Sequence, residues 1–262
     1  MTISLLLHLT FAALVLAPPV DVSGYVRAGD AAYEDFRTRD AIGFYTRAYE
    51  ADPKSYEVLS RLARAWSDLG RLTLRRTDSS EVYYRRALGY AQELVDAHPD
   101  SSSSWFLLAL CHGSLTPFKS LTEKLAIAQD VEKNALRSLQ IDPNHSMTHV
   151  LLGIYYRGVS RLSWLERTIV NGILGREING TLEDAERHLL EALDLDPNNS
   201  FAYFELHWIY RSSERPMDAA EALRKVLACE PTNERELQQH RSAEARLKQI
   251  GDPSAPSRRS RE

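Results

Sequence analysis

Five prolines frame this chain: Pro53, Pro99, Pro143, Pro197 and Pro231, four of them preceded by Asp or Glu. Proline lacks the backbone N–H and clashes with the preceding turn, so a helix that reaches one must stop. The last two stand 34 residues apart, and the earlier gaps of 46, 44 and 54 exceed that spacing by 12, 10 and 20. A device repeated near that period marks stacked helical pairs. Each unit buries its apolar face only against its neighbours, so the 262 residues form one body rather than a string of domains. The extra residues are where this chain departs from a plain array.

With each closing proline set at repeat position 32, small residues fall where two helices must approach closely. The first repeat has Gly29 at 8, Ala41 at 20, Tyr45 at 24 and Ala48 at 27. Leu62-Ala63 and Trp66, Leu108-Ala109, Leu152-Gly153 and Tyr156, and Leu206 and Tyr210 repeat the first-helix pattern; Ala87, Ala185, Ala192 and Ala219 repeat the second. Large residues fill the space between helices and small ones permit contact. The pattern resembles the tetratricopeptide repeat. It predicts an all-α superhelix (an α-solenoid) over residues 25–250, with five repeats, an extra helix in the fourth and a polar C-terminal capping helix over Thr232–Ile250.

The ends are different in kind. Ile3–Leu16 is almost wholly apolar and stops at Pro18-Pro19. That length suits a secretory leader and falls short of the ~20 residues of a membrane span. Residues 1–24 are therefore read as a signal segment cut after Gly24, giving an exported (periplasmic or secreted) protein. An uncleaved anchor is the alternative. Residues 251–262 read as a disordered Pro/Ser/Arg tail. Cys111 and Cys229 lie two repeats apart, too far to bridge, and read as small buried hydrophobes.

In the fourth repeat the run Leu152-Gly-Ile-Tyr-Tyr-Arg-Gly-Val-Ser-Arg-Leu-Ser-Trp-Leu-Glu-Arg-Thr-Ile169 resembles the regulator of microtubule dynamics family, through Gly153, Trp164 and Arg167; Leu59–Asp68 is similar as well. The resemblance spans about Tyr56–Leu227. It implies a non-enzymatic helical-repeat protein. Eukaryotic members are linked with microtubules and membrane contact sites, one branch with phospholipid binding, and bacterial exported members share the repeats. The apolar leader here is similar to that last group.

Positions 2, 5, 9, 12 and 13 of each first helix line the inner face of such a superhelix. They hold Phe106 and Leu110 in the third repeat, Met147, Val150, Ile154 and Arg157 in the fourth, and Phe201, Phe204, Trp208 and Arg211 in the fifth. An apolar face of that size needs a cover. The insertion is the expected one: Ser163 and Glu166 form a capping box, and Trp164, Leu165, Thr168, Ile169, Gly172 and Ile173 share one helix face. Either that helix fills the groove as core, leaving a protein-interaction scaffold, or it roofs a tunnel for an acyl chain, with Arg157 and Arg211 meeting an anionic head group. The expected partners are thus a hydrophobic or anionic-lipid ligand, or a protein or peptide, with peripheral membrane association.

Other chemistry is missing from the sequence. A net charge of −4 with interleaved signs argues against nucleic acid. His145 and His149 stand i, i+4, but no third ligand accompanies them, so no metal is expected. Cys111 and His112 point about 100° apart on a helix and make no nucleophile–base pair. No phosphate loop or nucleophile elbow is present. The chain reads as a non-enzyme without cofactor.

Overall fold

A computed structural model describes residues 21–73, 78–174 and 180–250. Residues 1–20 of the 1–24 leader and the tail from 251 lie outside the described residues, so both readings stand as expectations; Val22, Ser23 and Gly24 form the first turn of the first helix, capped by Asp21. The described residues form twelve α-helices and one short 3-10 turn at Thr116–Phe118. Five antiparallel pairs follow the proline frame: α1 (Val22–Glu34) with α2 (Thr38–Ala51), α3 (Tyr56–Leu72) with α4 (Asp78–Ala97), and α5 (Ser102–Ser114) with α6 (Leu121–Ile141). The fourth and fifth pairs are α7 (Ser146–Ser160) with α9 (Leu182–Leu195) and α10 (Ser200–Ser212) with α11 (Pro216–Ala228). Two helices stand outside the pairs: α8 (Trp164–Leu174), between α7 and α9, and α12 (Glu234–Ile250).

The Asp-Pro device has a structural cause. At Asp52, Asp142 and Asp196 the backbone N–H still donates into the ending helix, to the carbonyls of Ala48, Ser138 and Ala192. Each Asp Oδ1 then accepts from the backbone N–H two residues on, at Lys54 (3.3 Å), Asn144 (3.0 Å) and Asn198 (3.2 Å). The aspartate turns the chain while the proline forbids another helical turn. The next helix is capped at once: Asn199 Oδ1 accepts from Ala202 N at 3.1 Å, and the His145 ring nitrogen from Thr148 N at 3.2 Å.

Close approach within pairs rests on the small residues. A Cβ on Gly29 would lie 2.3 Å from Tyr45, and one on Gly153 would lie 2.6 Å from Leu189. Ala41, Ala48, Ala87, Ala185 and Ala192 are fully buried in the same seams. The first and fifth repeats, which lack insertions between their helices, turn through one left-handed residue each, Phe36 (φ 59°) and Glu214 (φ 55°). The second and third absorb extra residues by lengthening helices, to 17 residues in α3, 20 in α4 and 21 in α6. Among the described residues the third also adds the 3-10 turn at Thr116–Phe118, and the fourth adds a whole α-helix.

One expectation about placement is overturned and another is extended. The insertion helix does not cover the groove: Trp164 is 78% exposed, Leu165 is 53% exposed, and Thr168 and Gly172 face solvent, while Val170 is buried. The side chains of Ile169 and Ile173 lie outside the described residues. The capping box is present, with Ser163 N donating to Glu166 at 2.8 Å. The polar C-terminal helix does more than shield the last repeat, because it crosses the concave side and reaches the first two. The segment that spans the groove is α12 rather than α8.

Candidate ligand-binding groove

Helix α12 is fixed across the groove at both ends. Asn233 caps it by accepting from Glu236 N at 3.0 Å. Thr38, at the start of α2, donates to Glu234 at 2.9 Å. Arg235 donates to Asp68 Oδ1 at 3.1 Å, and the Tyr33 hydroxyl donates to the other carboxylate oxygen. Asp68 is buried, and both its oxygens are engaged. Burial, and then the carboxylate itself, push the Tyr33 hydroxyl far above the ordinary tyrosine pKa, so it stays a donor. The Arg235 guanidinium also lies over Phe201, 4.4 Å from the ring centroid. At the far end Arg246 stacks 4.1 Å from the Trp208 centroid, and Ala243, Leu247 and Ile250 join Phe204, Leu223 and Val226 in a small core.

Beneath α12 a cavity of about 490 Å³ remains. Nine of the twelve candidate residues line it: Phe106, Leu110, Met147, Val150, Ile154, Arg157, Phe201, Phe204 and Trp208. The polar face of α12 closes it with Arg235, Gln238, Gln239, Ser242 and Arg246. A neighbouring cavity of about 590 Å³ shares Phe106, Leu110, Met147, Phe201 and Arg235, and runs on to Arg61 and Arg64. The third cavity, about 440 Å³, takes Arg211 with the C-terminal end of α12. The expected pairing of Arg157 with Arg211 is therefore broken, because α12 divides their surroundings. Trp164 and Arg167 line none of the three; Arg167 donates to the Val159 carbonyl at 3.3 Å instead.

Charge on the first cavity is lopsided. Arg71, Arg157, Arg161, Arg235 and Arg246 line it against the single carboxylate of Glu205. Glu205 is taken by Arg157 at 2.8 Å, and Arg235 is held by Asp68. Burial, and then Arg211, lower the pKa of Arg246 from its ordinary value. An anion entering here meets guanidiniums over an apolar floor, the arrangement in which charge-assisted hydrogen bonds are strongest. Sequence reasoning missed Arg71, Arg161, Arg235 and Arg246. The available signal was in α12, where Arg235, Gln239, Ser242 and Arg246 fall at i, i+4, i+7 and i+11, one stripe running beside Ala243, Leu247 and Ile250.

The nucleophile candidates do not form chemistry. Cys111 is fully buried and burial pushes its thiol far above the ordinary value, which disfavours the reactive thiolate. Cys229 is half-exposed at the end of α11, not buried as its apolar reading required.

The family model described as Regulator of microtubule dynamics protein 1-3 matches residues 25–251. Similar curated proteins include regulator of microtubule dynamics protein 1 of Mus musculus, 25% identical over 54% of this chain and 47% of its own length. The Bos taurus protein 1 is 23% identical over 68% of this chain and 56% of its own. Protein 3 of Rattus norvegicus is 26% identical over 56% and 31%. The chain thus spans about half the length, or less, of the curated relatives it matches. Among solved structures, a thermophilic tetratricopeptide-repeat protein of Thermus thermophilus superposes with a TM-score of 0.61 at 19% identity, covering 86% of this chain and 99% of its own, which supports the fold alone.

Proposed function

The chain belongs to the regulator of microtubule dynamics protein 1-3 family, and on that premise we propose a non-enzymatic interaction protein whose groove takes an acidic, apolar-anchored segment of a protein partner. The carrying observation is the apolar cavity under α12, with five arginines to one glutamate. The superhelix supplies the surface, α12 narrows it, and the arginines select for negative charge. Regulation linked to microtubules, the role in the relatives' names, would run through this shared repeat domain; cosedimentation of the chain with microtubules tests it.

A second reading has its own support. The floor of the cavity is built from Leu110, Val150, Ile154 and Phe204, which suits an acyl chain with an anionic head at Arg71 or Arg246. Export of the chain through its apolar leader remains part of the proposal, and N-terminal sequencing of the native protein decides it.

Trp208 reports directly, since Arg246 stacks on it. Titration with an acidic peptide carrying leucine anchors, and separately with a long-chain fatty acid, should quench or shift its fluorescence. Arg246→Gln together with Arg71→Gln should weaken binding by about 1.5–3 kcal/mol per lost charged hydrogen bond. Ile154→Asp should abolish it, because an unpaired carboxylate would be buried in the complex. Peptide binding alone supports the first reading and fatty-acid binding alone the second. Wild-type protein that binds neither would end both.

A further inference from the structure

Outside the groove, three side chains with ligand chemistry converge between the two helices of the fourth repeat. His149 on α7 meets His188 and Glu191 on α9. The His149 Nδ1 to His188 Nδ1 distance is 3.1 Å, His149 Nδ1 to Glu191 Oε2 is 3.0 Å, and His188 Nδ1 to Glu191 Oε2 is 3.3 Å. We propose that His149, His188 and Glu191 form a binding site for zinc or a similar borderline divalent cation, which clips α7 to α9 across the insertion.

The geometry carries the assignment. Ligand atoms about 2.0–2.1 Å from a tetrahedral zinc stand about 3.3 Å from one another. The three contacts make a nearly equilateral triangle only slightly tighter than that, one face of a tetrahedron. A cation about 2 Å from each atom then sits roughly 1 Å out of their plane. The fourth position is left for water, since the Glu191 side chain is 40% exposed while each imidazole is only 10% exposed.

Ring orientation points the same way. His149 Nε2 lies 3.0 Å from the Pro143 carbonyl, which can only accept a hydrogen bond, so Nε2 is the donor. In the neutral ring this leaves the Nδ1 lone pair facing the other two atoms. A carbonyl holding the distal N–H is the usual partner of a metal-binding imidazole. Tyr156 stacks on His188 with centroids 5.4 Å apart and planes at 11°, fixing the second ring. Arg187 donates to the remaining Glu191 oxygen at 3.3 Å, turning Oε2 inward. Without a cation, three electron-rich atoms share at most one or two protons at van der Waals range or closer.

Residues 149 and 188 are separated by α8 and its flanking segments, so a cation here would close the loop that the insertion opens. The donor set of two imidazoles and one carboxylate suits zinc, cobalt or nickel and disfavours magnesium, which prefers oxygen ligands.

The test uses the full, untagged chain, stripped with chelator and titrated with cobalt and zinc chlorides. One equivalent of cobalt per chain should bind, with the intense visible bands of tetrahedral coordination, and zinc should displace it. Zinc should raise the Tm while magnesium leaves it unchanged. Glu191→Gln and His188→Gln should each weaken cobalt binding by at least about 10–100-fold, the range that loss of a supporting residue already costs. His98→Gln, in another repeat, should not. Glu191 is half-exposed, so its variant should keep the wild-type helical circular dichroism and separate lost ligation from misfolding. No stoichiometric cobalt uptake by the wild type, or uptake unchanged in the Glu191→Gln, His188→Gln double variant, overturns the proposal.

Discussion

Helices α8 and α12 are both additions to the five pairs, and their fates are opposite. Helix α8 carries the more apolar surface and holds it outward, with Trp164 and Leu165 exposed. Helix α12, rich in Glu, Gln and Arg, crosses the concave face. The difference lies in anchorage. Helix α12 brings charged groups whose partners are already fixed by neighbouring helices, at Asp68, Thr38 and the Trp208 ring. Helix α8 follows α7 after only three residues, and among its described side chains Val170 is the buried one. Hydrophobicity says that a surface wants cover; specific polar contacts decide which segment supplies it.

The largest expected effect breaks the anchored helix. Asp68→Ala removes the acceptor of Arg235 and of the Tyr33 hydroxyl, leaving a largely buried guanidinium unpaired. Breaking such a pair costs about 3–5 kcal/mol. Urea denaturation should show that loss, and amide exchange should report α12 opening first; an α12 that keeps its protection would show that its apolar contacts suffice.

A smaller effect sets the paired helices apart from both additions. Gly153→Ala places a methyl 2.6 Å from Leu189 and 3.2 Å from the Ala185 carbonyl, so α7 and α9 must separate. Overpacking of this kind costs about 1–3 kcal/mol, and a Tm equal to wild type would contradict the tight seam. Trp164→Ser on α8 should change stability by no more than about 0.5 kcal/mol, since the ring is in solvent. A clear loss in thermal denaturation would mean that the ring is covered in solution.

The mildest expectation concerns acid. Hydrogen bonds from Ser163 hold Glu166 below its ordinary value of 4.5. A lowered folded pKa contributes stability above 4.5 that disappears as pH falls through the lowered value. Protection factors at the first turn of α8, corrected for the intrinsic exchange rate, should therefore fall as pH drops below 4.5. Protection factors that stay constant down to about pH 2 would show that the Ser163–Glu166 box does not hold that turn.

Much of the fold was legible because the repeat carries it locally. Proline spacing, Asp caps and small residues such as Gly29 and Gly153 each act within one pair, so the sequence pattern and the physics coincide. The groove floor was legible for the same reason, since repeat position decides which way Phe106 or Ile154 points. What covers the groove was not. That depends on Arg235 reaching Asp68 across 167 positions and Thr38 reaching Glu234 across 196, and no local periodicity encodes such a pairing. His149 failed to suggest a site on similar grounds: its neighbours come from beyond the insertion, while His145, the partner that sequence offered, serves as a helix cap.

An open helical stack behaves like a coiled spring, stretching easily and unravelling from its ends, because each unit leans only on the next. The contacts of α12 with α2 and α3 join the last turn of this spring to its first two. A spring tied end to end resists extension and twist together, and its terminal coils lose their freedom to fray. Pulled from both ends in an optical trap, the chain should yield in one abrupt rip rather than repeat by repeat. The same knot ties the first two repeats to a helix far along the chain, so these contacts can close only after α12 has been made.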